Sequence, residues 1–589
     1  MQLPRNHRTD LIPGTTSRRD FLHSAGAAAA VGLAAAASGC SVWRPARERE
    51  IRADVVIVGA GVGGCAAALA ACRMGRSVVL TEPTEWVGGQ LTSQGVPPDE
   101  HPWIEQFGCT RSYRQFRDDV RRWYQSQPGL VSAARTNPRL NPGNGWVSRL
   151  CHEPRVAHSV LRAQLAPHIA SGRLRLLTRH ELRSAITSKD RVKAVTVRDL
   201  ETGHNRVLVA PWFIDATELG DLLPLAGIEH VIGAESRRDT GELHAPETAN
   251  PLDQQSFTWC FALEYRPDLR GSNLISKPAE YAFWRDYVPA MTPAWSGKLF
   301  AWFSTHPITL AVRPNSFDPS NPSLAGNLWT YRRIVDASLW SPSAGRHEVS
   351  LVNWPQNDYW LGPLVGVEPS VAQHHLQRSR ELSLSFVYWM QTEAPRPDGG
   401  TGWPEVRLSP EVMGTSDGLA MAPYIRESRR IRAEFTVLEQ HVGVDARSAA
   451  TGLPKDRVTA ERFHDSVGVG GYRIDLHPGT GGGNYIDVGS LPFEIPLGAL
   501  IPRRVENVLA GAKNLGVTHL TNGCYRLHPV EWNIGEAAGA LAAWCAAKHR
   551  VPTQVRNSSA RLAEFQSELD RQGVERTWPA SPEPKLHPL

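Results

Sequence analysis

The sequence predicts an α/β fold built on a parallel sheet, and three consecutive segments predict it. Residues 54–58 (DVVIV) form a short β-branched run that is typical of a buried parallel strand. The alanine-rich stretch 65–74 favours a helix, and Gly75 can end that helix. Residues 77–81 (SVVLT) give a second apolar run. A strand–helix–strand unit of this kind is the building block of a parallel sheet.

The turn between the first strand and the helix contains the pattern G-x-G-x-x-G at residues 59–64 (GAGVGG). Gly59 permits the tight turn, Gly61 lets the backbone approach a diphosphate, and Gly64 lets the helix pack on the strand. The helix N-terminus presents free N–H groups to the phosphates. Glu82 lies 23 residues after Gly59, where a ribose-binding carboxylate is expected. The pattern predicts a Rossmann-like dinucleotide site, the alternative being a glycine-rich turn that binds nothing.

Two later segments resemble the FAD domain of the glutathione-reductase-like flavoproteins. One is 86–93 (WVGGQLTS), which follows the acidic residue, and the other is the strand end 213–218 (FIDATE), where Glu218 replaces a usual glycine. Glycines suit the first segment because a flat ring system needs close backbone approach. The resemblance implies cofactor contacts from these residues of the two segments: Gly88, Gly89, Gln90, Ala216 and Thr217.

The C-terminal part of the chain extends the resemblance. Residues 508–511 (VLAG) are predicted to form the last strand of the same sheet, and an alanine-rich helix follows Pro529. With 423–431 (PYIRESRRI), these segments resemble the bacterial FAD-dependent oxidoreductase family over about 52–550. This implies FAD as cofactor, redox chemistry on a small organic substrate and an electron acceptor of unknown identity. It also implies cofactor contacts from three C-terminal residues: Gly511, Pro529 and Gly535.

The predicted fold class is therefore α/β, a Rossmann-like FAD-binding domain with a β-meander, interrupted by a mixed α+β substrate domain. The meander is predicted within 182–209, where three short strands alternate with turns. The predicted organisation begins with a signal peptide (1–40) and a linker (41–50). The first FAD-binding part (51–250), a Trp-rich substrate or cap domain (251–410), the second FAD-binding part (411–550) and a tail (551–589) follow.

The predicted substrate domain is rich in tryptophan, with ten of the nineteen Trp of the chain. Aromatic side chains can stack on sugars or aromatic ligands, so this composition suggests a domain that covers the substrate. The alternative is that these side chains fill a core and an interface. Residues 371–392 are predicted to form one long helix.

The N-terminal region is typical of a signal peptide. Arg18 and Arg19 precede Phe-Leu and a short apolar stretch at 25–37. The paired arginines resemble the twin-arginine signal, which implies export of the folded, cofactor-loaded protein by that machinery to the periplasm or cell envelope. Cys40 ends a sequence (ASGC) that resembles a lipoprotein cleavage box, so it is a candidate lipid anchor; a soluble periplasmic protein is the alternative.

Charge and cysteine content exclude some classes. The formal net charge of +5 on 589 residues gives no reason to expect nucleic-acid binding. The eight Cys have no paired spacing, which argues against a zinc site and a disulfide framework. No metal ligands are predicted.

Two histidines are candidates for catalysis because imidazole titrates near neutral pH. His528 precedes Pro529, and the resemblance implies that the following helix aims its N-terminus at the flavin. His477 lies in 472–478 (YRIDLHP), beside a glycine-rich segment. Each could instead be structural. The basic run at 426–430 is predicted to lie on a helix, packed by salt bridges or bound to an anion.

Two further functions stay open from the sequence. Residues 414–418 (GTSDG) match the G-x-S-x-G pattern of serine hydrolases, although the preceding segment is a poor strand. The other alternative is a flavin-containing glycan-active or binding protein without net redox turnover.

Overall fold

The structure is a computed structural model that describes residues 49–269 and 271–579. The twin-arginine sequence, Cys40 and nearly all of the predicted linker 41–50 lie outside the described residues, as does the end of the predicted tail.

The described strands, in chain order, are β1 Arg49–Arg52, β2 Val55–Val58, β3 Val78–Glu82, β4 Leu174–Thr178, β5 His180–Ser188, β6 Arg191–Asp199, β7 Asn205–Val209, β8 Trp212–Asp215, β9 His230–Val231, β10 Phe257–Thr258, β11 Phe261–Tyr265, β12 Phe303–Thr305, β13 Val312–Pro314, β14 Arg333–Val335, β15 Val349–Val352, β16 Asp358–Tyr359, β17 Val406–Leu408, β18 Arg430–Ile431, β19 Ser466–Gly470, β20 Ile474–Leu476, β21 Ile486–Val488, β22 Phe493–Pro496 and β23 Val508–Ala510.

The described α-helices are α1 Val62–Arg73, α2 Arg111–Gln125, α3 Ser132–Arg135, α4 Pro154–Ala170, α5 Leu222–Leu225, α6 Arg237–Thr240, α7 Tyr281–Asp286, α8 Leu328–Tyr331, α9 Pro369–Thr392, α10 Pro410–Met413, α11 Glu439–Val442, α12 Val444–Thr451, α13 His519–Tyr525, α14 His528–Lys548, α15 Pro552–Arg556 and α16 Ser559–Gln572.

A five-stranded sheet in the order β23-β8-β2-β3-β4 forms the centre of the main core. All four strand pairs in it are parallel. The predicted α/β fold with a parallel sheet is therefore confirmed, and the segment 508–511 does supply the last strand, next to β8. The three inner strands β8, β2 and β3 are fully buried, as expected where helices cover both faces of such a sheet.

Helices α1 and α14 cross at backbone distance on this sheet. A Cβ on Gly535 would lie 2.0 Å from the Gly63 carbonyl oxygen, and one on Gly539 would lie 2.2 Å from the Ala67 carbonyl oxygen. Only glycine fits at these two points of α14. The tight crossing brings the N-terminus of α14 close to the N-terminus of α1.

The three predicted meander strands are β5, β6 and β7, which pair in antiparallel order. β1 adds to β7 in parallel, giving the order β1-β7-β6-β5.

A second core surrounds the sheet β14-β15-β11-β17 and helix α9. The predicted long helix is found here as α9. Four tryptophans of this second core are almost fully buried: Trp284, Trp329, Trp354 and Trp403. Core filling is therefore the main role of the aromatic side chains in this region.

The basic run at 426–430 is not helical, which corrects the predicted helix. Arg426 and Arg429 lie on an extended segment that leads into the short strand β18. Extended backbone lets each guanidinium reach a carboxylate from a different segment. Arg426 pairs with Asp358, and Arg429 pairs with Asp221.

The region after residue 550 packs on the main core through α15 and α16, whose Val555, Leu562 and Phe565 are buried. Among the described residues, none of the helices combines the length and the apolar character needed to cross a bilayer. The seven described cysteines are buried and free.

Candidate active site

The glycine-rich loop between β2 and α1 adopts a conformation that only glycine permits at several points. Gly59 has a φ of +93°, and a Cβ there would lie 2.3 Å from the Ala216 carbonyl oxygen. A Cβ on Gly64 would lie 1.9 Å from the Gly59 carbonyl oxygen. At Gly61 the nearest atom to a Cβ is a side-chain oxygen, Glu218 Oε1 at 2.8 Å. The space beside Gly61 is therefore limited by side chains and not by backbone atoms.

Glu82 lies at the end of β3 and holds the loop. Its carboxylate accepts hydrogen bonds from the Ala60 N–H (3.1 Å) and from the Thr84 N–H (3.0 Å) and hydroxyl (2.7 Å). Burial raises the pKa of Glu82 to about 7. The predicted acidic residue is thus placed beside the glycine-rich loop.

The segment after Glu82 folds back onto the same loop. The Gly88 N–H donates to the Ala60 carbonyl oxygen (2.7 Å), and Gly88 has a φ of +113°. Gln90 Nε2 donates to the Arg526 carbonyl oxygen (3.0 Å) and to Glu531, while the buried Gln90 Oε1 has no partner. Gln90 therefore joins the loop region to the segment before α14.

Two carboxylates and one lysine lie at the N-terminus of α1. Glu531 accepts a hydrogen bond from the Gly63 N–H (3.3 Å), and Glu218 lies beside Gly61. The fully buried Lys513 pairs with Glu218, and its Nζ lies 3.6 Å from Glu531. An anionic group thus already lies on the end of the helix where a diphosphate is expected. No sequence motif indicated Lys513 or Glu531.

Other predicted cofactor residues have backbone roles around this loop. Ala216 donates its N–H to the Val58 carbonyl oxygen, and the Thr217 N–H and hydroxyl both donate to Asp215. The Gly511 carbonyl oxygen lies 1.9 Å from where a Cβ on Gly63 would be. Pro529 is buried in the first turn of α14, and Gly535 makes the helix crossing described above.

A cavity of about 440 Å³ opens next to these segments. Its lining comes from both cores, with Asp99 and Arg526 from the main one and Tyr331 and Trp354 from the Trp-rich region. Arg526 connects the cavity to the loop region, because its carbonyl oxygen accepts from Gln90 while its guanidinium donates to the Tyr424 hydroxyl (2.9 Å) in the cavity wall.

His477 lies in this wall, after β20, with a side chain that is 21% exposed. Its Nδ1 lies 2.6 Å from Asp358 Oδ2, and its Nε2 lies 3.6 Å from Asp475 Oδ2. Burial alone would raise the pKa of Asp358, but Arg426 and His477 lower it to about 2. Asp358 is therefore an ionised carboxylate that orients the imidazole, an arrangement that suits general acid–base catalysis.

His528 has a different environment. It is fully buried at the start of α14, does not line the cavity, and its Nδ1 accepts from the Asp99 N–H (3.0 Å). Burial lowers the pKa of His528 to about 4, so the imidazole is neutral at pH 7. Of the two predicted histidines, His477 is therefore the one that lines the cavity. His528 instead holds the backbone at Asp99.

The glycine-rich match at 414–418 does not form a nucleophile elbow. It follows the short helix α10 rather than a strand, and Ser416 is exposed. An elbow needs a strand that leads directly into a sharp turn before a helix. The structure therefore argues against the serine hydrolase alternative.

The parallel sheet, the glycine-rich loop and the adjoining cavity define a dinucleotide-dependent α/β enzyme. The chain belongs to the FAD dependent oxidoreductase family, whose model matches residues 54–569. It is thus an FAD-dependent oxidoreductase, and its cofactor is FAD.

Solved structures with partial similarity include three flavoenzymes. They are L-proline dehydrogenase from P. horikoshii (12% identity, 32% of this chain and 24% of that chain, TM-score 0.16), a flavoprotein/dehydrogenase from Cytophaga hutchinsonii (17%, 36% and 46%, 0.20) and Sdh1 from Mycobacterium smegmatis (13%, 41% and 45%, 0.23). The matched region thus spans less than half of each of these proteins. No curated protein matches the chain.

The residues present fit FAD. The backbone at Gly59, Gly63 and Gly64 leaves no space for a Cβ, as a close diphosphate-binding turn requires. The Gly63 N–H already donates to an anionic partner, the Glu531 carboxylate, and Glu82 lies beside the loop where the ribose is expected. When bound, FAD supplies two-electron chemistry.

Proposed function

We propose that this oxidoreductase acts on a small organic substrate held in the 440 Å³ cavity, with His477 as the group that exchanges the substrate proton. The observation that carries the proposal is the hydrogen bond between His477 and the ionised Asp358 at the cavity wall. Asp358 fixes the imidazole through Nδ1, and Nε2, which lies 3.6 Å from Asp475 and makes no hydrogen bond to it, is the nitrogen for proton transfer.

The position of the cavity supports this assignment. Arg526 contacts Gln90 with its backbone and Tyr424 with its guanidinium, so the cavity begins where the predicted cofactor segments end. Sites for small molecules combine such a concave surface with a few polar groups and a perturbed acid or base.

The direct test is reduction of bound FAD without oxygen. Purified yellow protein is mixed anaerobically with sugars, amines and aromatic alcohols, and bleaching of the flavin absorbance is followed. We expect at least one class to bleach the flavin in the parent protein and to do so much more slowly in His477→Asn. Bleaching at the same rate in that variant would refute the assignment of His477.

We further propose a fold of the glutathione-reductase-like kind, with the FAD-binding domain split as 51–250 and 411–550 around a substrate domain at 251–410. The second hydrophobic core around β11, β15 and α9 supports a separate substrate domain. Limited proteolysis tests the division, since cuts are expected in loops between the two cores.

We also propose export to the periplasm or cell envelope by the twin-arginine machinery, with Cys40 as a candidate lipid anchor. Arg18 and Arg19 before an apolar stretch support the export route. Cell fractionation of a Cys40→Ala variant tests the anchor, because loss of a lipid would move the protein from the membrane fraction to the soluble one. An unchanged distribution would refute lipidation.

A further inference from the structure

We propose that the cavity binds an uncharged polyhydroxylated substrate, a mono- or disaccharide. This rests on the proposed function, since it gives the substrate class of the same site. Three features of the wall carry it, namely paired charges, a mixture of hydrogen-bond donors and acceptors, and aromatic rings.

Charge in the wall is compensated. Four arginines of the lining each pair with a carboxylate: Arg332 with Asp99 (3.2 Å), Arg426 with Asp358 (3.0 Å), Arg526 with Asp475 (3.3 Å) and Arg473 with Asp487. Arg313 also lines the cavity, but it lies on the exposed strand β13, where solvent screens its charge. A charged substrate would therefore have to compete with an existing partner for each buried group.

The same groups can still bind hydroxyls. The Asp475 side chain is 20% exposed and can accept hydrogen bonds. The Arg332 and Arg473 side chains are 10% and 13% exposed and can donate hydrogen bonds. A hydroxyl both donates and accepts, so it can use carboxylate and guanidinium together, whereas a carboxylate or an ammonium can use only one kind.

Aromatic rings complete the wall. Trp146 at the cavity is 50% exposed, so one face of its indole is free to receive a ligand. Five further rings line the cavity: Tyr331, Trp354, Tyr424, Tyr472 and Tyr485. Rings of this kind pack against apolar ring faces while their polar atoms find hydrogen bonds. Sugars present such a face between their hydroxyls.

The cavity volume of about 440 Å³ is that of a small-molecule site, typically ~300–1,000 Å³, and suits one or two sugar rings. Oxidation of a sugar carbinol breaks its O–H and C–H bonds and forms a C=O bond. His477 in the cavity wall would take the hydroxyl proton, and FAD, when bound, would supply the acceptor for the hydride and its electron pair.

The test uses the FAD-loaded protein and two readouts, calorimetric binding and anaerobic flavin bleaching. The neutral probes are D-glucose, D-galactose, D-xylose and cellobiose. The comparison probes are D-glucuronate, D-glucosamine and benzyl alcohol. We expect a neutral sugar to bind and bleach the flavin, with the charged analogues at least about tenfold weaker because an unpaired charge in the cavity is costly.

Trp146→Ala provides the structural test, with Phe283→Ala as matched control. Phe283 is 45% exposed and lies on α7, outside the cavity lining. We expect Trp146→Ala to weaken sugar binding about three- to tenfold and Phe283→Ala to leave it unchanged.

Each outcome decides one of the two proposals. Preference for glucuronate, glucosamine or benzyl alcohol overturns the sugar assignment and leaves the oxidoreductase site intact. No binding of any neutral probe, or binding that does not depend on Trp146, also overturns it. Sugar binding that depends on Trp146 without bleaching supports the sugar site and refutes turnover of that sugar by the flavin.

Discussion

The Glu531 carboxylate accepts a hydrogen bond from the Gly63 N–H at 3.3 Å, so a side chain of α14 caps the N-terminus of α1. The positive end of the helix dipole stabilises the negative charge. Lys513, between Glu531 and Glu218, compensates both carboxylates. This cluster lies where the FAD diphosphate is expected, so we expect it to couple the stability of the apoprotein to cofactor binding.

Lys513→Met is expected to destabilise the apoprotein by about 3–5 kcal/mol, because it leaves the buried Glu531 and the partly buried Glu218 without their cationic partner. FAD affinity should fall as well, since uncompensated negative charge repels the diphosphate. Thermal unfolding and flavin fluorescence measure the two effects. Lys548→Met is the control, because Lys548 is 51% exposed and pairs at the surface with Glu564. Equal effects of the two substitutions would refute the role of Lys513.

Gly61→Val is expected to abolish FAD binding while the protein still folds. A Cβ at Gly61 meets side-chain atoms of Glu218 and Glu531 before any backbone atom, and side chains can move. The valine would then occupy the place of the diphosphate. Absorbance at the flavin band and circular dichroism separate cofactor loss from unfolding. Gly483→Val is the control, because a Cβ there meets nothing within 4 Å. Full flavin content in Gly61→Val would contradict the assignment.

His477→Asn is expected to slow anaerobic flavin reduction by about 10²–10⁴-fold, the usual effect of losing a general acid or base. FAD should stay bound, since His477 lies in the cavity wall and not at the glycine-rich loop. Stopped-flow absorbance measures the rate. His528→Asn is the comparator, and a larger loss of rate there, with FAD retained, would return the catalytic role to His528.

Much of the cofactor half of the fold could be predicted from local sequence. The glycine spacing, the β-branched runs and the strand at 508–511 are local signals. The predicted strands are found in the parallel sheet, and the glycines form the loop between β2 and α1. The pair His477–Asp358 could not be predicted, because the two residues are 119 positions apart and meet only through tertiary packing. For the same reason Arg426 was predicted on a helix, since its distant partner Asp358 is invisible in the local pattern.

The buried histidines, His528 among them, should lower the stability of the folded protein on acidification. Burial lowers the pKa of His528 to about 4 from an ordinary 6.5, and those of His101 and His152 likewise to about 4. Below pH 6.5 the unfolded chain binds protons that the folded protein does not, so stability is lost as the pH falls from 6.5 to 4. Each histidine contributes up to ~1.4 kcal/mol per pH unit in that window.

The check is the change in melting temperature between pH 7.5 and pH 5. We expect it to be smaller in His528→Gln than in the parent protein. His204→Gln, at an exposed position, should behave like the parent. An identical pH dependence in all three proteins would show that His528 does not titrate with unfolding.

The paired arginines give a prediction about location. Arg18→Lys with Arg19→Lys should keep the protein in the cytoplasm with FAD bound, because the twin-arginine machinery reads the pair. Fractionation and flavin absorbance measure this, and a matched double change of Arg44 and Arg47 to Lys should leave export unchanged. Normal export of the Arg18/Arg19 variant would contradict the signal assignment.

The order of strands in the parallel sheet also limits when a nascent chain can load its cofactor. β2 and α1 leave the ribosome early, but β23 and α14, which complete the sheet and cover α1, are made late. Until synthesis passes Lys548, α1 lacks α14, the helix that packs most extensively on it, and contacts between such distant segments form slowly. We therefore expect FAD capture to follow synthesis of α14, and we expect chains that stop before Val508 to aggregate or be degraded.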